Sequence, residues 1–298
     1  MADGKYQTPA PFRMAIESRL RSEVARTGMD SQRLRQLLAF DRFMARLFAT
    51  FHEEILLKGG LALELRLSRA RATKDIDVRM VGAPESTLSR LQEAGRMNLG
   101  DFLRYEVAPD LDQPDLNAAG MRYTGHRYRC ETYLAGKRFS RPFGLDVAFA
   151  EPLVGQPEVI QGTDFFAFAG FEPTEYRVYP PETHIAEKLH AYTLPRSRPN
   201  SRVKDLPDLA LLALVRKFDS KLLRDSIRQT FAHRETHPVP PVLPLPPQEW
   251  GPVYERMAAI DELQWKDLDV LTTAVQEFLD PVFAGNEGLW NSKGWSWS

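Results

Sequence analysis

The first part of the chain has the hydrophobic spacing of amphipathic helices. Between residues 12 and 50, apolar side chains recur every three or four positions with basic residues between them: Leu34, Leu37, Leu38, Phe43, Leu47 and Phe48. This spacing gathers the apolar groups on one face of a helix. The pattern predicts an N-terminal helical pair packed against the rest of the fold.

The next stretch, residues 55–78, changes from apolar to glycine-rich to helical and back to apolar. An apolar run ends in Lys58, Gly59 and Gly60, and leucines at helical spacing follow. A basic segment then leads to a second apolar stretch that begins after Asp75. This order predicts a strand, a glycine turn, a helix, a loop and a second strand.

Residues 84–150 combine helical, polar and strand-like patterns. We predict a helix over 84–104 and a polar loop over 105–120. Four aspartates without regular spacing are assigned to the loop: Asp101, Asp110, Asp112 and Asp115. Residues 121–150 read as a strand pair joined by a hairpin turn at 135–137.

The C-terminal half is predicted to be mostly helical. A proline pair introduces one helix, which ends at Pro195, and a second helix starts near Asp205. Two further segments have helical patterns: 219–236 and 252–283. We therefore predict two domains, one over residues 1–175 with the N-terminal helices and strands, and a helical one over residues 176–298.

Two segments of the helical half have unusual composition. Residues 237–247 contain six prolines, which predicts a stiff, extended connector. The last residues contain three tryptophans among glycines and serines. This tail could dock on the body of the protein, bind a partner or be loose, and the sequence does not choose among these.

Two aspartates at the start of the second strand are the best candidates for chemistry. Because side chains alternate along a strand, Asp75 and Asp77 point to the same face, roughly 7 Å apart. Paired carboxylates suit a hard divalent cation such as Mg²⁺. Glycines before a helix, here Gly59 and Gly60, let backbone N–H groups approach a phosphate. Each motif alone is commonly structural, but their combination favours a site for a metal-bound triphosphate.

Asp146 is the candidate for a third carboxylate. It lies in a strand pattern with apolar residues on both sides, where an ionised group is costly unless it is paired or metal-bound. The alternative is an aspartate at a strand end that faces solvent.

The same predicted strand pair is rich in basic residues, and apart from Asp146 its single acid is Glu131. Its basic residues interleave with tyrosines: Arg122, Arg127, Arg129, Lys137, Arg138 and Arg141. Interleaved basic and aromatic residues on strands can bind an RNA backbone and stack bases. A solvated outer face of the sheet explains the pattern equally well.

The segment around the glycines and the first two aspartates resembles motif I of the nucleotidyltransferase superfamily related to DNA polymerase β. The matching sequence is K-G-G-x-A-L-x-L followed by R-A-T-K-D-I-D-V, with fourteen residues between Gly60 and Asp75. The leading lysine and the second segment are more narrowly similar to the AbiEii/AbiGii toxin family, which includes the mycobacterial MenT toxins. Two later segments, A-E-K-L and R-x-K-D-x-x-D-L, resemble motifs III and IV of the same family.

The resemblance implies an α+β fold with a polymerase β-like core, in which helices flank a mixed sheet. It also implies transfer of a nucleoside monophosphate from an NTP to an acceptor hydroxyl, with release of pyrophosphate. Asp75 and Asp77 would hold two Mg²⁺ ions, and Asp146 would share the catalytic one. One ion would lower the pKa of the acceptor hydroxyl, and the other would neutralise charge on the pyrophosphate.

The same resemblance implies residues that bind the triphosphate. The turn at Gly59 and Gly60 would hold it together with Lys188, Thr73 would contribute a hydroxyl, and Lys58 would orient the turn or contact phosphate. One acid after the basic loop would steady the site, and of the two candidates, Asp205 and Asp208, we prefer Asp205. From the residues alone, these acids are equally suited to the start of a helix, and Lys188 to the surface.

The family context further implies a partner and an acceptor. Its members are toxins neutralised by a separate antitoxin, and for the MenT members the acceptor is the 3′ end of tRNA, so that translation stops. Basic residues of the strand pair and of the 196–204 loop are compatible with tRNA. Two alternatives remain: a nucleotidyltransferase with a protein or small-molecule acceptor, such as an antibiotic, and a non-catalytic nucleotide-binding protein.

Composition limits the remaining possibilities. The 298-residue chain has a net charge of −1, so any binding of nucleic acid must use local patches. No apolar segment is long enough to span a membrane, and the N-terminus lacks a signal-peptide core, which predicts a cytoplasmic protein. The single cysteine, Cys130, excludes an internal disulfide and a cysteine-based metal site.

Overall fold

An eight-stranded mixed sheet forms the centre of the fold in the computed structural model, which describes residues 5–67, 73–112, 125–149, 152–195 and 202–298. The strands are β1 (Ile55–Lys58), β2 (Ile76–Met80), β3 (Leu103–Pro109), β4 (Gly125–Leu134), β5 (Lys137–Arg138), β6 (Phe143–Phe149), β7 (Glu158–Gln161) and β8 (Glu175–Val178). The helices are α1 (Pro9–Thr27), α2 (Ser31–Phe51), α3 (Gly59–Arg66), α4 (Pro84–Arg96), α5 (Pro181–Thr193), α6 (Asp205–Ala213), α7 (Ser220–Arg234), α8 (Gly251–Ile260) and α9 (Leu268–Phe283). A short hairpin follows, made of β9 (Trp290–Asn291) and β10 (Ser296–Trp297).

The sheet places the glycine turn and the first aspartates near its middle. Its strand order is β3-β4-β6-β2-β1-β8-β7, and β5 pairs with β4 outside this path. Strand β2 lies parallel to β6 and antiparallel to β1, while β1 lies parallel to β8. The predicted fold, a mixed sheet flanked by helices with a helical C-terminal half, is confirmed.

Two hydrophobic clusters lie on either side of helix α3. The first joins the N-terminal helix pair to the sheet, and the second joins the helices of the C-terminal half. Leu61 and Ala62 belong to the first cluster, and Leu63 belongs to the second. The short helix α3, which begins at the two glycines, therefore contacts both the sheet half and the helical C-terminal half of the protein. The domain boundary at residue 175 stays a prediction. Among the described helices, none is long and apolar enough to cross a membrane.

The tryptophan-rich tail docks on the C-terminal helices. Trp290 is fully buried, and its indole N–H donates to the carbonyl of Ala213 at 2.9 Å. The indoles of Trp295 and Trp297 donate to carbonyls of α9, at 3.1 and 3.0 Å. Of the three possibilities left open by the sequence, the structure shows docking, because each of the three rings donates its N–H to a carbonyl of the C-terminal helices.

Part of the prediction for residues 84–120 is wrong. Helix α4 ends at Arg96, and β3 occupies the end of the predicted helix and the start of the predicted loop. The buried leucine, tyrosine and valine of β3 alternate with exposed arginine and glutamate, which is the period of a strand. The rest of the predicted loop, residues 113–120 with Asp115, lies outside the described residues.

Asp101 does lie in a loop, between α4 and β3, but it is the centre of a buried ion cluster rather than a solvated acid. Its carboxylate accepts hydrogen bonds from the guanidinium groups of Arg46 and Arg42 on α2, and its side chain is 0% exposed. Although burial alone would raise it, these two cations hold the pKa of Asp101 below its ordinary value. The cluster ties the N-terminal helices to the edge of the sheet.

We predict that Asp101→Asn lowers the unfolding free energy by about 3 kcal/mol or more, because two buried guanidinium groups lose their counter-charge. Since the folded-state pKa of Asp101 is depressed, this contribution is present at neutral pH and is lost as the pH falls through that value. Urea denaturation at pH 7 measures the change. The matched control is Glu106→Gln, which removes an exposed ion pair with Arg104 and should cost less than about 1 kcal/mol. If Asp101→Asn and Glu106→Gln cost equally little unfolding free energy, the assignment of Asp101 to a stabilising buried ion cluster would be contradicted.

Candidate active site

A row of four charged side chains crosses the middle of the sheet. In the strand register, Lys58 on β1 lies opposite Asp77 on β2, Asp77 beside Asp146 on β6, and Asp146 opposite Arg127 on β4. Residues paired in this way point to the same face of a sheet. Two carboxylates on adjacent strands are therefore flanked by one cation on each side.

The glycine turn lies directly against Asp77. Gly59 has a left-handed backbone conformation (φ +68°), and a Cβ atom at this position would overlap the Asp77 carboxylate. Gly60 has the same relation to Thr73, whose hydroxyl would lie 2.7 Å from an added Cβ. Both glycines are required for the close approach of the turn to the residues around the second strand.

The segment that carries Thr73 and Asp75 is fixed by contacts from two sides. Asp75 accepts a hydrogen bond from the backbone N–H of Gly144 at 3.0 Å, which ties it to β6. The Thr73 hydroxyl donates to the carbonyl of Asp75 at 3.2 Å. Arg33 on α2 donates to the Thr73 carbonyl and also pairs with Glu64 on α3. The loop before the second strand is thus anchored to both flanking helices.

Asp146 forms a bidentate pair with Arg127. Two guanidinium nitrogens donate to its two carboxylate oxygens, both at 2.6 Å. Asp146 is therefore a largely buried carboxylate that is paired, and its partner is an arginine for which RNA binding and a solvated sheet face were equally good explanations from the sequence. If the strand residues are paired outward from the hairpin turn at residues 135 and 136, Arg127 is expected opposite Gly144. Its actual partner, Asp146, lies two residues further along β6 and on the same face of the sheet.

Helices α5 and α6 bring Lys188 and both candidate acids together. The Lys188 ammonium lies 3.0 Å from Asp205 and 2.8 Å from Asp208, and both carboxylates are almost completely buried. The structure therefore joins the two acids that the sequence treated as alternatives. Asp205 is not the N-cap of α6, because it is the first residue of the helix and the N-cap position is occupied by Lys204.

Asp146, Asp205 and Asp208 each form an ion pair, whereas Asp77 forms none with any residue that the structure describes. Among the described residues, no side chain forms a hydrogen bond or salt bridge with its carboxylate. Desolvation and the nearby charge of Asp146 raise the pKa of Asp77 to about 6, against the opposing influence of Lys188 and Lys58. The charge of Lys188 thus acts on Asp77 across the space between α5 and the sheet.

The donor set fits a hard divalent cation that has few protein ligands. Asp77 lacks a neutralising partner, and Asp146 and Asp75 add negative charge beside it. Among the described residues, no three acids, histidines or cysteines are arranged to hold a metal by themselves. Mg²⁺ commonly takes one or two carboxylates and completes its shell with water and substrate phosphate oxygens. Asp77 is the first candidate ligand, because Asp146 already binds Arg127.

Two further buried groups were missed by sequence reasoning. Glu187, next to Lys188 on α5, lies 2.9 Å from the Lys58 ammonium. His184 lies one turn before Lys188 and is fully buried, and neither of its ring nitrogens has a hydrogen-bond partner among the described residues. Burial and the charge of Lys188 lower the pKa of His184 well below its ordinary value. The A-E-K-L segment could have pointed to Glu187, but not to its partner.

Comparison with solved structures defines the class of the fold. MenT4, a nucleotidyltransferase toxin from Mycobacterium tuberculosis H37Rv, matches with a TM-score of 0.53 and 19% sequence identity, covering 89% of this chain and 88% of its own. JHP933 from Helicobacter pylori also matches, with a TM-score of 0.43 and 17% identity, covering 68% of this chain and 80% of its own. The chain thus shares the overall fold of MenT4.

A family comparison gives the narrower assignment. The model of the nucleotidyl transferase AbiEii toxins of type IV toxin–antitoxin systems matches residues 42–281. The chain belongs to this family and is a nucleotidyltransferase. A search of curated protein sequences found no match.

We predict that Asp77→Asn stabilises the metal-free protein by roughly 2 kcal/mol at pH 7.5, because it removes an ionised carboxylate that lacks a partner. The pKa of Asp77 is higher in the folded chain than in the unfolded chain, so the cost of ionisation appears as the pH rises from about 4 to about 6. Urea denaturation in EDTA across this range measures it. Asp146→Asn is the control and should destabilise, since it breaks the pair with Arg127. A destabilised Asp77→Asn protein would refute the electrostatic assignment.

We predict that Gly59→Ala lowers the nucleotidyl-transfer rate at least about 100-fold, because the added methyl group displaces Asp77. Gly136→Ala is the matched control: its backbone is also left-handed (φ +72°), but nothing lies within 4 Å of an added Cβ. Both variants should lose about 1 kcal/mol of stability to backbone strain. A loss of activity that is equal in the two variants would show that strain, rather than contact with Asp77, is responsible.

Proposed function

We propose that the protein transfers a nucleoside monophosphate from an NTP to an acceptor hydroxyl, and that the acceptor is the 3′ end of tRNA. The observation that carries the proposal is the Asp77 carboxylate, which lies against the glycine turn without an ion pair and within the field of Lys188. The cation that accompanies an NTP would complement the charge of Asp77, and the phosphates of the NTP would complement the charge of Lys188.

Each group in the site has a distinct task in this proposal. Asp77 binds the cation, with Asp75 and Asp146 as the further carboxylates of the predicted set. Lys188 contacts the triphosphate, and Asp205 and Asp208 fix the position of its ammonium. The turn at residues 59 and 60 brings backbone N–H groups to the phosphates. A bound divalent cation lowers the pKa of the attacking hydroxyl and neutralises charge on the departing pyrophosphate.

The surface beside the site supports a large polyanionic acceptor. Arg129 on β4 points to the same face as Arg127 and is 59% exposed, and Arg104 and Arg138 nearby are 60% and 53% exposed. Strand β3 also adds Glu106 to this face, so the region contains more acid than the sequence predicted. The arginines are therefore partly neutralised, which favours recognition of a shaped backbone over non-specific binding. Arg122, Arg196 and Arg198 lie outside the described residues.

Family membership supplies the biological setting. A toxin of a type IV toxin–antitoxin system has a partner antitoxin, and we propose that modification of tRNA ends stops translation until the antitoxin restores it. The structural match to MenT4 agrees with this setting through the fold alone.

The test is incubation of the purified chain with Mg²⁺, each α-³²P-labelled NTP in turn, and total tRNA. With the wild-type protein, we expect label on intact tRNA but not on tRNA whose 3′ ends have been oxidised with periodate. Asp77→Ala and Lys188→Met should reduce transfer at least about 100-fold, because each removes a charge that acts in the transition state. Lys221→Met, at an exposed position in the first turn of α7, is the control and should leave transfer unchanged.

The other results of this experiment are equally decisive. Label on a protein or small molecule, with none on tRNA, would show that the acceptor is not tRNA while supporting nucleotidyl transfer as the reaction. Binding of NTP without transfer to any acceptor would reduce the protein to a nucleotide-binding module.

A further inference from the structure

Glu187 is a nearly buried acid at the site that the transfer reaction itself does not use. Its carboxylate accepts hydrogen bonds from the Lys58 ammonium and from the Tyr179 hydroxyl, which lies at 2.9 Å. The guanidinium of Arg234, on α7, lies 3.6 Å away. The side chains of Glu187 and Lys58 are each 12% exposed, so this contact is shielded from solvent.

Lys58 has a second acid within reach. It lies directly opposite Asp77 on the neighbouring antiparallel strand, where the Cβ atoms of paired residues are about 5 Å apart. An ammonium group on a flexible four-carbon stem can span this distance and bind the carboxylate. Lys58 instead turns to α5, where its nitrogen lies 2.9 Å from Glu187 and 5.4 Å from the centre of the Tyr179 ring.

The choice of partner decides what Asp77 can bind. A carboxylate that is paired with an ammonium has lost charge and lone pairs that a divalent cation needs. We propose that Glu187 is a positioning residue that holds Lys58 away from Asp77 and so keeps Asp77 available as a cation ligand. The inference rests on the proposed function in one respect, namely that Asp77 binds the cation.

The surrounding charges strengthen the effect. Arg234 also faces Glu187 and is itself buried, so Glu187 balances two cations at once. Without the Glu187 carboxylate, the Lys58 ammonium on β1 would turn to Asp77, which is a nearby acid. Glu187 therefore controls both the direction of the Lys58 side chain and the charge beside the metal ligand.

Binding of Mn²⁺ to the full chain without nucleotide tests the inference, with the free ion measured by electron paramagnetic resonance. Glu187→Gln should weaken binding about tenfold, the scale expected when a residue that orients a ligand is lost. Adding Lys58→Met to this variant should restore binding to within about threefold of wild type, since the competing ammonium is gone. Lys58→Met alone should bind at least as well as wild type. Glu17→Gln, which breaks a comparable pair with Arg35, is the control and should change nothing.

The outcomes separate this inference from the proposed function. Unchanged Mn²⁺ binding in Glu187→Gln, or a loss that Lys58→Met does not restore, would overturn the positioning role while leaving Asp77 as a ligand. Wild-type binding that survives Asp77→Asn would overturn both. Circular dichroism and thermal melting establish that each variant is folded. If Glu187→Gln does not fold, Glu187→Asp tests the same contact with a carboxylate one methylene shorter, and Lys58→Met must again restore binding.

Discussion

The site depends on the Asp77 carboxylate, which forms no ion pair within the described part of the chain and is surrounded by cations that are bound to other acids. Lys58 contacts Glu187, Lys188 contacts Asp205 and Asp208, and Arg127 contacts Asp146. Asp77 lies among these pairs, and desolvation together with the like charge of Asp146 raises its pKa. Such a group costs folding stability, which is common where function requires a charge to be kept available.

The fold maintains this arrangement from two directions. The sheet sets the spacing, because strand register alone brings Lys58, Asp77, Asp146 and Arg127 into one row. The C-terminal helices bring Lys188 and Glu187 over that row, and α3 links the two hydrophobic clusters immediately after the glycine turn. Docking of the tryptophan tail on α9 completes the packing of the helical half. A change in either half therefore alters the electrostatics at Asp77.

Sequence reasoning found the features that depend on local order. Alternation along a strand placed Asp77, although Asp75 lies just before β2 rather than in it. The Gly-Gly pair marked the start of α3, and proline and aspartate signals located α5 and α6. It did not find the pairs that depend on three-dimensional register, such as Arg127 with Asp146 or Lys58 with Glu187. The strand at residues 103–109 was missed although its apolar residues alternate, because it is followed by a polar, proline-containing segment. The burial of Asp101 was missed because its partners, Arg42 and Arg46, are distant in the sequence. Local patterns identify the chemical groups, whereas their partners are set by packing.

A crystal structure of the protein with Mn²⁺ and an NTP analogue that cannot be cleaved between its α- and β-phosphates tests the role of Asp77 most directly. We expect an anomalous Mn²⁺ peak within about 2.3 Å of an Asp77 oxygen, with the triphosphate between the turn at residues 59 and 60 and Lys188, and with Lys58 still on Glu187. A nucleotide bound elsewhere, or Asp77 paired with a lysine while the metal lies on other ligands, would contradict the account.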